Sequence, residues 1–450
     1  MKRLFKFLSV SLLTVAVCLD CAALTGSWRG KLSMGPFKLP LVFNFSEDAD
    51  GVTSCTLDSP SQGARGIPAT VSCCTADSVA LQCQSIGASF SGTISGGVIS
   101  GQFAQGDYTL PLRLIPDSPI EERRPQTPKP PYPYTTVDTV FTCADGAKMS
   151  ATLTIPAGAA KKCPAVVMIT GSGPQNRDEE IFEHRPFAVI ADYLARNGVA
   201  SLRYDDRGTG KSTGDFASAT TYTFRDDARS AVKFLRGVKN IGKVGVLGHS
   251  EGGTIAFMLG AEKSPDFIVS LAGMAESGKE LLLRQNARAL EKNGLSGNDS
   301  ENSLLLIGAF FDEMAGRYKK GISTPVDPDS LARTLSVTVP EAVIRSLRDN
   351  RSIASPWFLT FLGIDPRVDL SKIKCPLLAI NGDKDTQVDA EANLGIIGRT
   401  VAGAQTRKMP SLNHLMQHAV TGDASEYDQI KETISPEVLQ IILDFIRHRQ

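Results

Sequence analysis

Five short runs, at 165–170, 199–204, 244–247, 267–272 and 377–381, are predominantly apolar, most of them at consecutive rather than alternate positions. A strand that is apolar on both faces has to be covered on both faces, which calls for helices above and below a parallel sheet. Helical periodicity separates most of these runs, at 187–196, 224–235 and 253–261. The alternation predicts an α/β domain with a mostly parallel sheet. A hairpin pattern precedes it, 137–141 and 149–155 around Asp145-Gly146. A last helix follows, with Ser435 as its cap, Pro436 at its first position and Val438, Ile441, Ile442 and Phe445 on one stripe.

A chain of 450 residues is longer than the ~250 to 300 residues one core usually serves, so a second folding unit is expected. It is found ahead of the sheet. Residues 24–115 carry short alternating runs punctuated by Gly, Ser and Asp, which predicts a small all-β barrel or sandwich. That segment contains no histidine and no recognisable catalytic arrangement. Residues 116–135 hold seven prolines and read as a stiff, extended linker. The α/β domain is assigned to 136–450. Within it, 276–361 has helical patterns at 279–291, 304–318 and 340–347 without a core strand, and is expected to form a helical cap over the carboxyl edge of the sheet.

Lys2, Arg3 and Lys6 precede an apolar run at 7–17 and then Cys21-Ala22-Ala23. This is the pattern of a cleaved export signal over 1–23, too short to span a membrane, which predicts a periplasmic or secreted protein beginning near Leu24. Acylation at Cys18 is the alternative, disfavoured by the bulky Val17. Export permits disulfides among Cys55, Cys73, Cys74 and Cys83. Several of these cysteines sit in apolar strand patterns, where a small buried hydrophobe is the simpler reading. Lys plus Arg equals Asp plus Glu, at 48 each, so charge gives no reason to expect nucleic acid as a partner. The ligand expected is a small molecule; no metal or cofactor is expected, and oligomeric state is not encoded in any pattern found.

The chemistry is expected around Gly248-His249-Ser250-Glu251-Gly252, a G-x-S-x-G between a strand pattern and a helix pattern. A sharp strand-to-helix turn holds such a serine exposed over a helix amino terminus, making Ser250 the candidate nucleophile. A serine needs a base and the base an orienting acid. Of five histidines, His414 lies in a loop between the last strand pattern and the final helix, and is chosen over His418. His249 is expected to turn its ring away from the hydroxyl, and His448 to lie at the surface. Asp385, in the turn after the 377–381 strand, is the candidate acid; Asp383 reads as a turn-former and Asp389 as a helix cap. The order Ser, Asp, His is that of α/β-hydrolases. The backbone N–H groups of Glu251 and Ser172, with Gly173 next in line, are the expected oxyanion donors. Gly210-Lys211-Ser212 is not a phosphate-binding loop, because Asp205 stands where that loop needs glycine.

Four segments, Gly171-Ser172-Gly173-Pro174-Gln175-Asn176-Arg177-Asp178-Glu179, Tyr204-Asp205-Asp206-Arg207-Gly208-Thr209-Gly210-Lys211-Ser212, 248–252 and Leu412-Asn413-His414, occur in one order. Together they resemble exported bacterial α/β-hydrolases of the serine aminopeptidase-like and carboxylesterase-like branch, over about 137–450. Asn176 departs from that pattern, which has aspartate there. The resemblance implies an α/β-hydrolase fold, a Ser250–Asp385–His414 triad and an ester substrate. A peptidase or aminopeptidase with the same triad, anchoring a substrate amine on Glu179, Glu180 or Glu183, is the nearest alternative. A hydrolase-like binding protein without catalysis is the other.

Overall fold

The computed structural model describes residues 24–448 except 35–36, 63, 159–161, 323 and 350–354. The expected export signal at 1–23, with Cys18 and Cys21, lies outside the described residues. The chain divides after Ser118 into two compact units.

The first unit is built from β1 (Gly26–Met34), β2 (Phe37–Glu47), β3 (Thr53–Ser59), β4 (Ala64–Cys74), β5 (Ser78–Cys83), β6 (Ala88–Ser95), β7 (Val98–Gln105) and β8 (Tyr108–Pro116). Each strand pairs antiparallel with the next, and β8 returns to β1, Leu114 opposite Gly30, to close a barrel. Closure is what separates the barrel from the sandwich that the same alternation would also allow. Phe43, Leu57, Leu81, Phe90, Ile99 and Leu114 fill the interior, so the barrel encloses a packed core. Cys55 and Cys83 belong to that core as free thiols, and burial pushes the Cys55 thiol up to about 12. Cys73 and Cys74 are not joined in a disulfide among the described residues.

The second unit carries strands β9 (Thr135–Thr142), β10 (Lys148–Ile155), β11 (Cys163–Ile169), β12 (Ala200–Tyr204), β13 (Ile241–His249), β14 (Ile268–Leu271), β15 (Leu377–Gly382) and β16 (Gln405–Met409). They form one sheet in the order β16-β15-β14-β13-β11-β12-β10-β9. Pairing is parallel from β16 to β12, and the β12–β10 and β10–β9 pairs are antiparallel, so β10 alone runs against the other strands. This is the α/β-hydrolase fold.

Its helices are α1 (Ile120–Arg123), α2 (Pro186–Arg196), α3 (Thr221–Arg236), α4 (Glu251–Ala261), α5 (Gly278–Lys292), α6 (Gly297–Lys319), α7 (Pro328–Leu335), α8 (Glu341–Asp349), α9 (Pro356–Phe361), α10 (Arg367–Leu370), α11 (Ala390–Thr400) and α12 (Pro436–Arg447). The continuous apolar runs explain the layers. Along β11, Ala165, Val167 and Ile169 pack with α3, α4 and α11, while Val166 and Met168 pack with α2 and α12. Successive side chains point to opposite faces, so a strand apolar at every position is buried twice.

Between β14 and β15 the described residues form helices α5 to α10 and no strand, and α5 to α9 make up the cap. They gather around Leu306, Ile307, Phe310, Ile344 and Leu347 in a small core of their own. α5 starts from a capping box in which Ser277 and Glu280 satisfy each other's amides. α9 was not foreseen in the sequence, and it brings Trp357 and Phe361 toward the site described below.

Two local expectations are revised. Residues 119–134, read as a connector, group with the second unit. Arg124 is buried there and donates to the carbonyls of Phe182 (2.8 and 3.0 Å), Asp428 (3.0 Å) and Ile430 (3.0 Å). Ser435 stands at the start of α12 but makes no capping bond. It is held through its backbone, N–H to Met416 O at 2.8 Å, and its buried hydroxyl has no partner among the described residues.

Candidate active site

Strand β13 ends at His249 and α4 begins at Glu251, so the whole turn is Ser250, with φ 53° and ψ −119°. A non-glycine residue at positive φ is strained, and such strain persists only where the surroundings impose it. The imposing contacts are at the two glycines. A Cβ on Gly248 would stand 2.0 Å from the Gly252 carbonyl oxygen, and one on Gly252 would stand 2.1 Å from that of Ile169. β11, the turn and α4 therefore meet backbone to backbone, leaving the serine side chain as the part that projects.

His414 sits in the loop after β16. Its Nδ1 lies 2.7 Å from Oδ2 of Asp385, in the turn after β15, and both residues are buried. A carboxylate can only accept, so Nδ1 carries the proton and Nε2 of the neutral ring is left as a base. Asp385 is itself fixed. Its Oδ1 accepts the N–H groups of Gln387 and Val388, each at 2.8 Å, which is why the acid sits two and three residues before them in the turn. Ser250 and His414 line one cavity of about 280 Å³, together with Ser172 and Glu251.

The competing residues lie elsewhere. His418 is exposed and pairs with Glu432 at 2.8 Å. Asp383 accepts the Ser411 N–H, and Asp389 caps α11 through the Ala392 N–H. His184 is enclosed between Thr433 and the Tyr427 carbonyl, and burial lowers its pKa to about 4. His448 is exposed.

The loop after β11 supplies the other wall. The Gly171 N–H is engaged by Glu179 Oε1 at 2.7 Å. Among the described residues, the N–H groups of Ser172 and Glu251 have no protein acceptor. Ser172 lines the cavity and Gly173 does not. Asp206 ties the base of this loop, accepting from Thr170 Oγ1 at 2.8 Å and the Gln175 N–H at 3.0 Å. Asn176, where the resemblance has aspartate, accepts the N–H groups of Asp178 and Glu180 and holds the turn.

His249 does more than its sequence position suggested. Its ring is buried, Nδ1 at 2.9 Å from Glu179 Oε1 and Nε2 at 3.0 Å from the carbonyl oxygen of His414. Burial opposes its charge, but attraction to Glu179, the bonds to Glu179 and His414, and the nearby Asp385 outweigh burial and raise its pKa. Glu179 Oε2 is buried and has no partner among the described residues, and Glu179 lines the cavity. The other two acids considered are occupied, Glu180 by Arg185 at 2.9 Å and Glu183 by Arg123.

The remaining walls are mixed. Met274, Leu281, Trp357, Phe361 and Val388 give an apolar side, and Gln285, Gln387 and Tyr427 a polar one. Away from the cavity, Cys143, Asp145 and Asp227 come within metal-ligating reach of one another. Arg207 bonds both of those carboxylates, at 3.1 Å to Asp145 and 2.5 and 2.8 Å to Asp227, and so supplies the positive charge there.

Comparison with known proteins gives a family and several relatives. The X-Pro dipeptidyl-peptidase (S15) family matches residues 145–396, more than half of the chain. Esterase EstD of Thermotoga maritima is 28% identical over 267 residues, 59% of this chain and 57% of that one. The chain thus spans little more than half the length of that curated relative. Among solved structures, Est1E of Butyrivibrio proteoclasticus bound to ferulic acid is 17% identical, covering 69% of this chain and 96% of that one, with a TM-score of 0.41. The Pyrococcus furiosus esterase Pf2001 is also 17% identical, covering 70% and 91%, with a TM-score of 0.43.

Proposed function

The chain belongs to the X-Pro dipeptidyl-peptidase (S15) family, and from that premise we propose that it is a serine esterase acting on small-molecule carboxylic esters by acyl transfer. His414 Nε2 takes the proton of Ser250 Oγ, and the oxygen attacks the ester carbonyl. The N–H groups of Glu251 and Ser172 stabilise the resulting oxyanion, and Asp385 stabilises the imidazolium. His414 returns the proton to the departing alcohol. Water then repeats the sequence on the acyl-enzyme and regenerates Ser250. The observation that carries this reading is the buried 2.7 Å Asp385–His414 pair beside a cavity that Ser250 shares. Ester is preferred over amide because the curated relative is an esterase.

One observation favours a second reading, a peptidase or aminopeptidase. Glu179 Oε2 is buried and unpartnered at the cavity, where it suits a substrate amine. Parallel assays of p-nitrophenyl acyl esters and aminoacyl p-nitroanilides separate the two. The esterase reading expects the esters to have the higher kcat/KM, and a preference for the anilides would replace it with the peptidase one.

The same proposal includes export of the chain, with 1–23 removed and the mature protein beginning near Leu24, in the periplasm or outside the cell. Its support is the basic, apolar and small-residue order of that segment. Amino-terminal sequencing of the protein recovered from a culture of its source tests it. A chain that retains Met1 in the cytoplasm contradicts it.

A further inference from the structure

The residue after the proposed nucleophile has a side chain whose environment the acyl-transfer scheme does not use. Glu251 is 4% exposed, and among the described residues it makes no ion pair. Its Oε1 accepts from Thr221 Oγ1 at 2.6 Å and from the Trp357 indole Nε1 at 2.8 Å, and its Oε2 accepts from Ser172 Oγ at 2.8 Å. These neutral donors come from three separate segments: the first turn of α3, the cap helix α9, and the loop carrying the other proposed oxyanion amide. Burial accordingly raises the carboxyl's pKa.

We propose that Glu251 is a positioning residue that couples the helical cap to the oxyanion site. It rests on the acyl-transfer reading above. One rigid carboxylate plane fixes Ser172 and Trp357 at the same time, so the Ser172 amide is held in register with the Glu251 amide while the indole is docked. Oxyanion donors act only when placed to within about 0.5 Å, and losing one costs about 10² to 10³ in kcat. Trp357 lines the cavity and stacks on Phe361, ring centroids 5.2 Å apart. An acyl group that presses on the indole therefore acts on Ser172 through a single side chain.

Glutamine can preserve this arrangement. Its oxygen accepts from Thr221 and Trp357, its NH₂ donates to Ser172 Oγ, and a hydroxyl accepts as readily as it donates. In the full chain, with a p-nitrophenyl ester, E251A is expected to lower kcat at least tenfold with KM within about threefold, and E251Q to stay within about threefold of wild type. W357F, which keeps the ring and removes the N–H, and S172A are each expected to lower kcat about three- to tenfold with Tm unchanged. They carry the test should E251A fail to fold. Wild-type kcat in W357F and S172A, or E251Q as impaired as a folded E251A, overturns the proposal.

A second readout does not need activity. Trp28 and Trp357 are the two tryptophans of the chain, so a W28F background makes Trp357 the sole emitter. E251A should then increase acrylamide quenching of Trp357, and E251Q should not. Unchanged quenching in E251A overturns the proposal, whereas a wild type that turns over no ester while E251A still loosens Trp357 overturns the acyl-transfer reading instead.

Discussion

The rings of His249 and His414 lie 4.8 Å apart, centroid to centroid, and His249 Nε2 bonds the backbone carbonyl of His414 at 3.0 Å. Two carboxylate–imidazole pairs, Glu179–His249 and Asp385–His414, thus stand side by side, and the first holds the loop that presents the second.

Removing the His249 ring leaves the Glu179 carboxylate with one partner, the Gly171 N–H. Breaking one side of a buried pair costs about 3 to 5 kcal/mol, so H249F should lower stability by about 3 kcal/mol at pH 6. The pH dependence follows from the raised pKa of His249. Stability from a group whose folded pKa exceeds its unfolded value, about 6.5 for histidine, is complete below that unfolded value and lost as pH rises through the folded one. The difference in unfolding free energy between wild type and H249F should shrink from pH 6 to pH 9, measured by urea unfolding. A difference that grows over this range would show that His249 is not charged in the fold.

At the serine turn, the contact is between backbones. With a Cβ on Gly252 only 2.1 Å from the Ile169 carbonyl oxygen, G252A has to displace β11 or α4. Overpacking of this kind costs about 1 to 3 kcal/mol, occasionally more. A loss of about 3 kcal/mol is expected, with kcat falling more than tenfold in the protein that remains folded. Thermal melts and initial rates on the same preparation check both.

Arg124 satisfies three carbonyls on two loops, and those loops carry Ile181 and Tyr427, which line the cavity. R124A in the full chain removes a buried cation and leaves the carbonyls without their donors, at a cost of about 1 to 3 kcal/mol for each unsatisfied group. A fall in stability of about 3 kcal/mol is expected, and KM should rise while kcat changes less. If residues 119–134 were a free connector, R124A would match wild type in both.

Much of this architecture is legible in the sequence because it is local. The run at 165–169 is apolar at every position and 244–247 carries no polar side chain, and β11 and β13 are covered on both faces. Turn grammar singles out Ser250, Asp385 and His414 as candidates, each beyond a strand end, and the structure brings the last two into contact. What escaped depends on long-range placement. Glu179 and His249 are 70 residues apart, and nothing in either segment announces the other. α9 is six residues long, too short for periodicity, yet it delivers Trp357 to Glu251. Proline-rich composition is the same for a chain docked on a surface and for one in solvent, so 116–135 gave no hint that Arg124 would be buried.

The central claim is that Ser250 is an activated nucleophile with His414 as its base. Reaction of the full chain with a fluorophosphonate, followed by intact mass and peptide mapping, tests it without assuming a substrate. A single adduct on Ser250 is predicted, absent in S250A and formed about 10³-fold more slowly or worse in H414A. Folded wild type that takes up no label, or H414A labelled at the wild-type rate, would contradict it.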